Sequence, residues 1–420
     1  SIREGLLSFV RPDEVDEKAI QAFLSCLHYL SADPSEPEAY AELRTRLEEI
    51  DRTIDNPHNY LYYLATPPLL YGVIPRHLKA EGLNREGDGF RRIVVEKPFG
   101  YDLSSALELN RIYLDAFREE QIYRIDHFLG KETVQNILAL RFANSVFEPL
   151  WNRNYIDYVE ITAVENMGIG TRGGFYDGVG TLRDMVQNHL AQLLAVTAME
   201  PPAAFDASGF RNEVVKVYHR EEEQVPALSR TETYLAMRLE LNNWRWGGVP
   251  FYIRTGKQMP TKVSEIVIHF KPAPYSLFRC EGGTCPVPNR LVIRIQPNEG
   301  IVLRLGMKKP GEGFEVLPMD MDFSYAELGR LPTEDAYARL IEDCIAGDPT
   351  LFIRSDAVES GWRFFDPILK YWQDVPECPL YGYPAGSWGP LEADSLVARQ
   401  GASWTNPCKN LTNTDEYCEL

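Results

Sequence analysis

Four short stretches of this sequence gather side chains that can do chemistry. In Arg124-Ile125-Asp126-His127-Phe128-Leu129-Gly130-Lys131-Glu132 a carboxylate, an imidazole and an ammonium group crowd the end of an apolar run. If a helix opens near Gly130, its free amides favour an anion, and His127 and Lys131 can converge on one phosphate. The plainer alternative is a solvated Lys131 and a His127 that caps the turn. In Thr181-Leu182-Arg183-Asp184-Met185-Val186-Gln187-Asn188-His189-Leu190, a helical period places His189 on one face with Leu182, Met185, Val186 and Leu193. A histidine there is either a hydrogen-bonded core residue or a functional one. Thr181 and Asp184 have capping-box spacing. Lys257 and Lys262 lie in Arg254-Thr255-Gly256-Lys257-Gln258-Met259-Pro260-Thr261-Lys262, where they are either surface charge or an anion site. Lys97 lies in Glu96-Lys97-Pro98-Phe99-Gly100.

The elements that must carry these groups fall into two styles. Tyr60-Leu61-Tyr62-Tyr63-Leu64-Ala65, closed by Pro67-Pro68, reads as a buried strand. Arg92-Ile93-Val94-Val95-Glu96 and Gln121-Ile122-Tyr123-Arg124-Ile125 read alike, with helical stretches at 69–82 and 102–119 between. Alternating strands and helices predict parallel pairing with right-handed crossovers, and such sheets bind ligands outside the carboxyl ends of the strands. Asp126, His127, Lys131 and Lys97 all sit at such ends. After about residue 150 the period becomes two: Leu235, Met237, Leu239, Leu241; Ile266, Ile268, Phe270; Leu291, Ile293, Ile295; Ile301, Leu303, Leu305. This predicts an antiparallel sheet with one buried face. Helices interrupt it from about Thr181 to Pro201 and over 333–346, where Tyr337, Leu340, Ile341 and Cys344 share a face. The fold class is thus α/β plus α+β: a partial Rossmann-like domain over 1–126, then a large β+α domain over 127–420.

Composition narrows the function. With 43 Lys and Arg against 61 Asp and Glu, the net charge of −18 speaks against nucleic acid or an anionic membrane as partner. Any anion must find a local basic cluster. No apolar run reaches membrane-spanning length and no signal peptide is visible at Ser1. Seven cysteines, sparse and odd in number, offer no zinc-site spacing and fit reduced thiols in a cytoplasmic protein. Gly168-Ile169-Gly170-Thr171-Arg172-Gly173 fits G-x-G-x-x-G, yet Gly174, Gly178 and Gly180 follow it and the helix waits until Thr181. A true dinucleotide turn opens directly into its helix, so this stretch reads as a loop bringing Glu165 and Asp184 together.

The nine residues Arg124 to Glu132 resemble the signature of glucose-6-phosphate dehydrogenases, and similar segments run from about residue 58 to the C-terminus. The resemblance implies a catalytic base at His189, oriented by Asp126. It implies phosphate binding by His127 and Lys131, sugar contacts from Glu165 and Asp184, and substrate contacts from Lys257 and Lys262, with Gln296 a weaker candidate. It places Lys97 between coenzyme and substrate, with Pro98 and the turn holding Thr66 on the coenzyme edge. The implied reaction oxidises D-glucose 6-phosphate at C1 to 6-phosphoglucono-1,5-lactone with NADP, or NAD, taking the hydride. No metal is needed, because neutral imidazole suits proton removal near pH 7. Homodimers or homotetramers built through the antiparallel sheet are typical of the family.

The sequence departs from the family pattern in three places. Phe128 stands where the family usually has Tyr, so a hydroxyl that can touch the phosphate is missing. No glycine-rich phosphate loop precedes the first strand, and three parallel strands are too few for a full dinucleotide site. Relatives also carry a longer insertion after Arg220. We expect residues to be missing at both places, and an intact mass matching 47.9 kDa would refute this. Two rivals remain at this level. One is a non-catalytic phosphosugar-binding protein. The other is a different sugar oxidoreductase, since Glu-Lys-Pro after a strand occurs in such families too, although the Asp126–Lys131 segment argues against it.

Overall fold

The computed structural model describes residues 2–9, 15–54, 58–169, 176, 179–202, 211, 221–222, 231–275, 289–311, 313–328, 335–375, 377, 381–398 and 402–407. Most of the G-x-G-x-x-G stretch, the junction at Lys216–Arg220 and five of the seven cysteines lie outside them; Cys26 and Cys344 are free thiols.

The first part holds the three expected strands: β1 (Tyr60–Leu64), β2 (Arg91–Val95) and β3 (Ile122–Arg124). They pair in parallel in the order β1-β2-β3, with Leu64 opposite Val95 and Val95 opposite Arg124. All three strands therefore end on the same side. The crossovers contain helices Val73–Ala80 and Leu103–Ala116, shorter than the sequence pattern implied. Pro68–Leu70 tightens into a 3-10 turn ahead of the first helix, and Asp102 with Ser105 forms a capping box that starts the second. Between Lys97 and that helix, Gly100 turns the chain with φ 84°, and a Cβ there would lie 2.8 Å from the Ala106 amide nitrogen. Only glycine fits so close a turn.

The second part is an eight-stranded sheet in the order β11-β10-β9-β8-β4-β7-β6-β5. Its strands are β4 (Ile156–Val164), β5 (Glu221–Glu222), β6 (Tyr234–Leu241), β7 (Pro250–Gly256), β8 (Val263–Phe270), β9 (Arg290–Gln296), β10 (Gly300–Lys308) and β11 (Val316–Ser324). Two features depart from an antiparallel sheet with one buried face. The central pair β4 and β7 is parallel. The centre is also buried on both faces: every residue of β7 and all but the last of β8 are shielded. Helices Glu132–Phe142, Ala191–Ala198 and Ser355–Asp374 join one face in the main core. The other face is closed by the chain near its C-terminal end. There the Thr405 amide and hydroxyl donate to buried Glu160 at 2.9 and 3.0 Å, and Trp404 packs on Tyr252.

The two parts are stitched together through buried polar contacts. Trp362, on helix Ser355–Asp374, donates its indole N–H to the Phe99 carbonyl at 3.0 Å, fixing the turn that follows Lys97-Pro98. Arg124, 2% exposed, reaches Glu119 and Asn110 at 2.9 and 3.2 Å while its backbone bridges to Ile353. Buried charge of this kind persists only when paired. Among the described residues, no helix is long and apolar enough to cross a membrane.

Candidate active site

Strand ends place the chemistry. Ile125 extends β3 by donating its amide to Val95 at 2.9 Å, and the chain then turns inward so that Asp126 is 1% exposed. Its Oδ1 accepts the Phe128 amide at 3.0 Å and faces His189 Nδ1 at 2.6 Å. A carboxylate at Nδ1 fixes the neutral ring with its proton on that nitrogen, leaving the Nε2 lone pair available. Lys97, at the end of β2, sets its ammonium 2.7 Å from Nε2 and 3.3 Å from Asp184 Oδ1.

The electrostatics keep the imidazole neutral and the aspartate charged. Burial drives the His189 pKa down; Asp126 pulls it up and the Lys97 ammonium pushes it down, and the net shift is downward. Burial alone would raise Asp126, yet the His189 contact, His127 and the Phe128 amide together hold it at about 2. His127 is lowered to about 3, chiefly by burial and then by His189, whose ring centroid lies 4.5 Å away. His127 is therefore a neutral hydrogen-bonding group near pH 7 rather than a cation. Phe128 stacks on His189 with centroids 4.4 Å apart, and its ring also lies 4.6 Å from the Lys131 ammonium.

The parallel pairing of β4 with β7 sets Val164 opposite Gly256, so the next residues of both strands emerge side by side. Those residues are Glu165 and Lys257, whose charged groups meet at 2.5 Å. The same ammonium lies 3.5 Å from Asp184 Oδ2. Burial raises the Asp184 pKa, but Lys97 and Lys257 outweigh it and the carboxyl is held low. On the far rim, Ser264 at the start of β8 faces Gln296 at the end of β9, and the Gln296 amide donates to the Ser264 hydroxyl at 3.0 Å. Lys131 donates in turn to the Gln296 carbonyl oxygen.

A cavity of about 350 Å³ joins these groups. Its wall includes nine of the sequence-predicted residues: Lys97, Pro98, His127, Glu165, Asp184, His189, Lys257, Lys262 and Gln296. Asp126 and Lys131 join this wall through contacts, Asp126 with His189 and Lys131 with Gln296 and Phe128. Thr66 is not on this wall. It follows β1, one strand over from Lys97, and its buried hydroxyl has no partner. A larger cavity of about 820 Å³ shares Lys257 but contains neither the imidazole nor Asp126. Asp126, His127 and His189 bring metal-type donor atoms within 4.8 Å of one another. A cation there would meet the Lys97 ammonium, and His189 Nδ1 is already engaged.

Three expectations from spacing need correction. The helix after Lys131 begins at Glu132 rather than Gly130. Thr181 and Asp184 form no capping box, because Thr181 makes no side-chain cap. The segment Leu182–Leu190 is a π-helix, not a 3.6-period helix. Sequence reasoning also missed Ser264 as the support of Gln296, and Tyr337, whose ring stacks on His127 at 5.9 Å and 9°. Tyr337 had been legible only as one of several apolar residues on a helix face.

The residues match two family models: the glucose-6-phosphate dehydrogenase NAD binding domain over 1–136, and the C-terminal domain of the same enzyme over 138–220 and 218–405. The glucose-6-phosphate 1-dehydrogenase of Aggregatibacter actinomycetemcomitans is 48% identical, over 97% of this chain and 88% of its own length. That of Mycolicibacterium smegmatis is 43% identical, over 96% and 87%. A solved glucose-6-phosphate dehydrogenase in complex with its substrate glucose-6-phosphate superposes with a TM-score of 0.86 at 32% identity, covering 96% of this chain and 88% of that one. The enzyme from Mycobacterium avium gives 0.80 at 35% identity, over 94% and 86%. A match to a nucleotide-binding domain removes the ground for a non-catalytic phosphosugar-binding protein. With both halves matched and the coverage nearly complete, the chain belongs to the glucose-6-phosphate dehydrogenase family.

Proposed function

We propose that this protein oxidises D-glucose 6-phosphate at C1 to 6-phosphoglucono-1,5-lactone, using NADP in preference to NAD. The observation that carries this reading is the Asp126–His189 pair, 2.6 Å apart, beside a cavity rimmed by Lys97, Lys257 and Lys262. The domains are a coenzyme part over 1–126 and a substrate and assembly part over 127–420.

The chain's own groups account for binding and proton transfer. His127, Lys131 and Lys262 hold the phosphate end, with Gln296 beside them. Glu165, Asp184 and Lys257 hold sugar hydroxyls, their mutual contacts giving way to substrate. His189 Nε2 takes the proton of the C1 hydroxyl, and Asp126 stabilises the imidazolium that forms, as a carboxylate does in a catalytic triad. Lys97 keeps the resting ring neutral by standing against a second positive charge. The residues fit a nicotinamide coenzyme: the strands end together, Thr66 offers an unpartnered buried hydroxyl there, and Lys97-Pro98 lies between that edge and the cavity. A nicotinamide held there by Thr66, Lys97 and Pro98 would supply the acceptor for the C1 hydride.

The choice of NADP follows from the family resemblance, and titration with both coenzymes decides it. A cytoplasmic location agrees with the free thiols at Cys26 and Cys344. Assembly as a homodimer or homotetramer through the large sheet is supported by the exposed Met307, Met319, Met321 and Phe323 on β10 and β11. Contiguous apolar surface of this kind marks contact sites. The direct test is the absorbance of reduced coenzyme when the protein is given glucose 6-phosphate and NADP; no reduction by wild-type protein would end the proposal.

A further inference from the structure

Glu232 is a buried acidic side chain that the mechanism above does not use. It is 3% exposed, and the positive charge acting on it is that of Arg183 on the helix it contacts. Its Oε1 accepts the Leu182 amide, the first of the π-helix, at 2.7 Å. Its backbone carbonyl accepts the Thr181 amide at 2.9 Å and the Thr181 hydroxyl at 2.7 Å. A carboxylate fifty residues away in sequence thus holds the amide at which the helical residues 179–181 pass into the π-helix. Gly180 makes room for it. Its φ is +72°, and a Cβ there would come within 2.7 Å of Glu232 Oε2.

The next residue faces the other way. The Thr233 carbonyl accepts the Lys257 amide at 2.9 Å. The Tyr383 hydroxyl sits over the joint, 3.1 Å from the Thr233 carbonyl and 2.8 Å from that of Lys257. Residues 232 and 233 therefore tie the start of the π-helix carrying Asp184 to the loop carrying Lys257, and the Lys257 ammonium lies 3.5 Å from the Asp184 carboxylate. We propose that Glu232 is a positioning residue for the substrate-binding pair Asp184 and Lys257, a role that rests on the function proposed above. Asp184 lies in the first turn of the π-helix, two residues from the amide that Glu232 holds. His189 lies more than a turn further on and is held separately by Asp126. The effect must therefore fall on substrate binding more than on turnover. Burial pushes the Glu232 carboxyl up against the pull of the amides, so a neutral acceptor can replace it.

The test compares Glu232→Leu, which keeps bulk and loses the acceptor, with Glu232→Gln, which keeps the acceptor. Glu232→Leu should raise KM for glucose 6-phosphate about tenfold, matching a buried amide left without its acceptor, with kcat and the coenzyme KM within about threefold. Glu232→Gln should restore KM to within about twofold of wild type, since the hydrogen bond is kept. If Glu232→Leu does not fold, Gly180→Ala displaces the carboxylate and should give the same rise in KM. Wild-type KM in Glu232→Leu or in Gly180→Ala, or equal losses in Gln and Leu, overturns the proposal. An inactive wild-type protein would instead sink the dehydrogenase reading itself.

Discussion

The alkaline limb of the pH profile offers the sharpest check on the phosphate end. Burial drives the Lys131 pKa down to about 8; Glu299 opposes this and Lys262 adds to it. A lysine at about 8 is roughly 90% charged at pH 7 and roughly 10% at pH 9, whereas one near 10.4 is still almost fully charged at pH 9. The substrate phosphate has its second pKa near 6, so it stays a dianion over this range. If Lys131 binds that dianion, kcat/KM for glucose 6-phosphate should be level near neutrality and fall about tenfold per unit above pH 8. In kcat the same limb should move upward, because bound phosphate holds the ammonium charged. Lys131→Arg isolates the cause: a guanidinium does not titrate below about pH 12, so the fall should vanish even if binding weakens at neutral pH. The assay is initial rates at low substrate and saturating coenzyme from pH 7 to 9.5. A limb near 8 that survives in Lys131→Arg, or a wild-type profile level to pH 9.5, would refute the reasoning.

His189→Asn should lower kcat by about 10²–10⁴-fold, the usual worth of a general base, with coenzyme affinity intact by fluorescence titration. Asp126→Asn should also cost turnover, on the order of 10⁴ if the ring flips to the wrong tautomer as in a triad, and its rate should not recover with more substrate. Phe128→Tyr should lower KM for glucose 6-phosphate while kcat stays within about twofold, one added hydrogen bond being worth about that order; a higher KM would show that no room exists for the hydroxyl. Gly300→Ala should lower the thermal midpoint by a few degrees, because a Cβ there would stand 2.3 Å from the Phe323 carbonyl oxygen in the pairing of β10 with β11.

Much of the scaffold was legible because each strand carried its own mark. Apolar runs stopped by Pro67 or Pro98 gave β1 and β2. In β6 the alternation of Leu235, Met237, Leu239 and Leu241 matches four buried positions between half-buried ones. β4 carried no such mark, because most of it is buried on both faces and so shows no period. Its parallel pairing with β7 was hidden for a further reason. Register between strands almost ninety residues apart depends on the connection between them, not on either segment. Yet that pairing is what sets Glu165 beside Lys257. From the sequence these two could be joined only through family resemblance.

The helix bearing His189 shows a different limit. At 100° per residue, Asp184 and His189 would point about 140° apart on an α-helix, too far to share one small partner. Both nevertheless meet the same ammonium, since Lys97 lies 3.3 Å from the Asp184 carboxylate and 2.7 Å from His189. The wider turn resolves this: i→i+5 bonding brings residues five apart toward one face, and such turns recur at functional sites. Period counting placed His189 among Leu182, Met185 and Val186 and so made it look like core. That assignment was not wrong about burial, as the ring is 1% exposed. It could not show that the same turn widens to point the imidazole and the carboxylate at one cavity. The π-helix is held at Leu182 by Glu232 and at His189 by Asp126, and both contacts come from distant strand ends that no local period reveals.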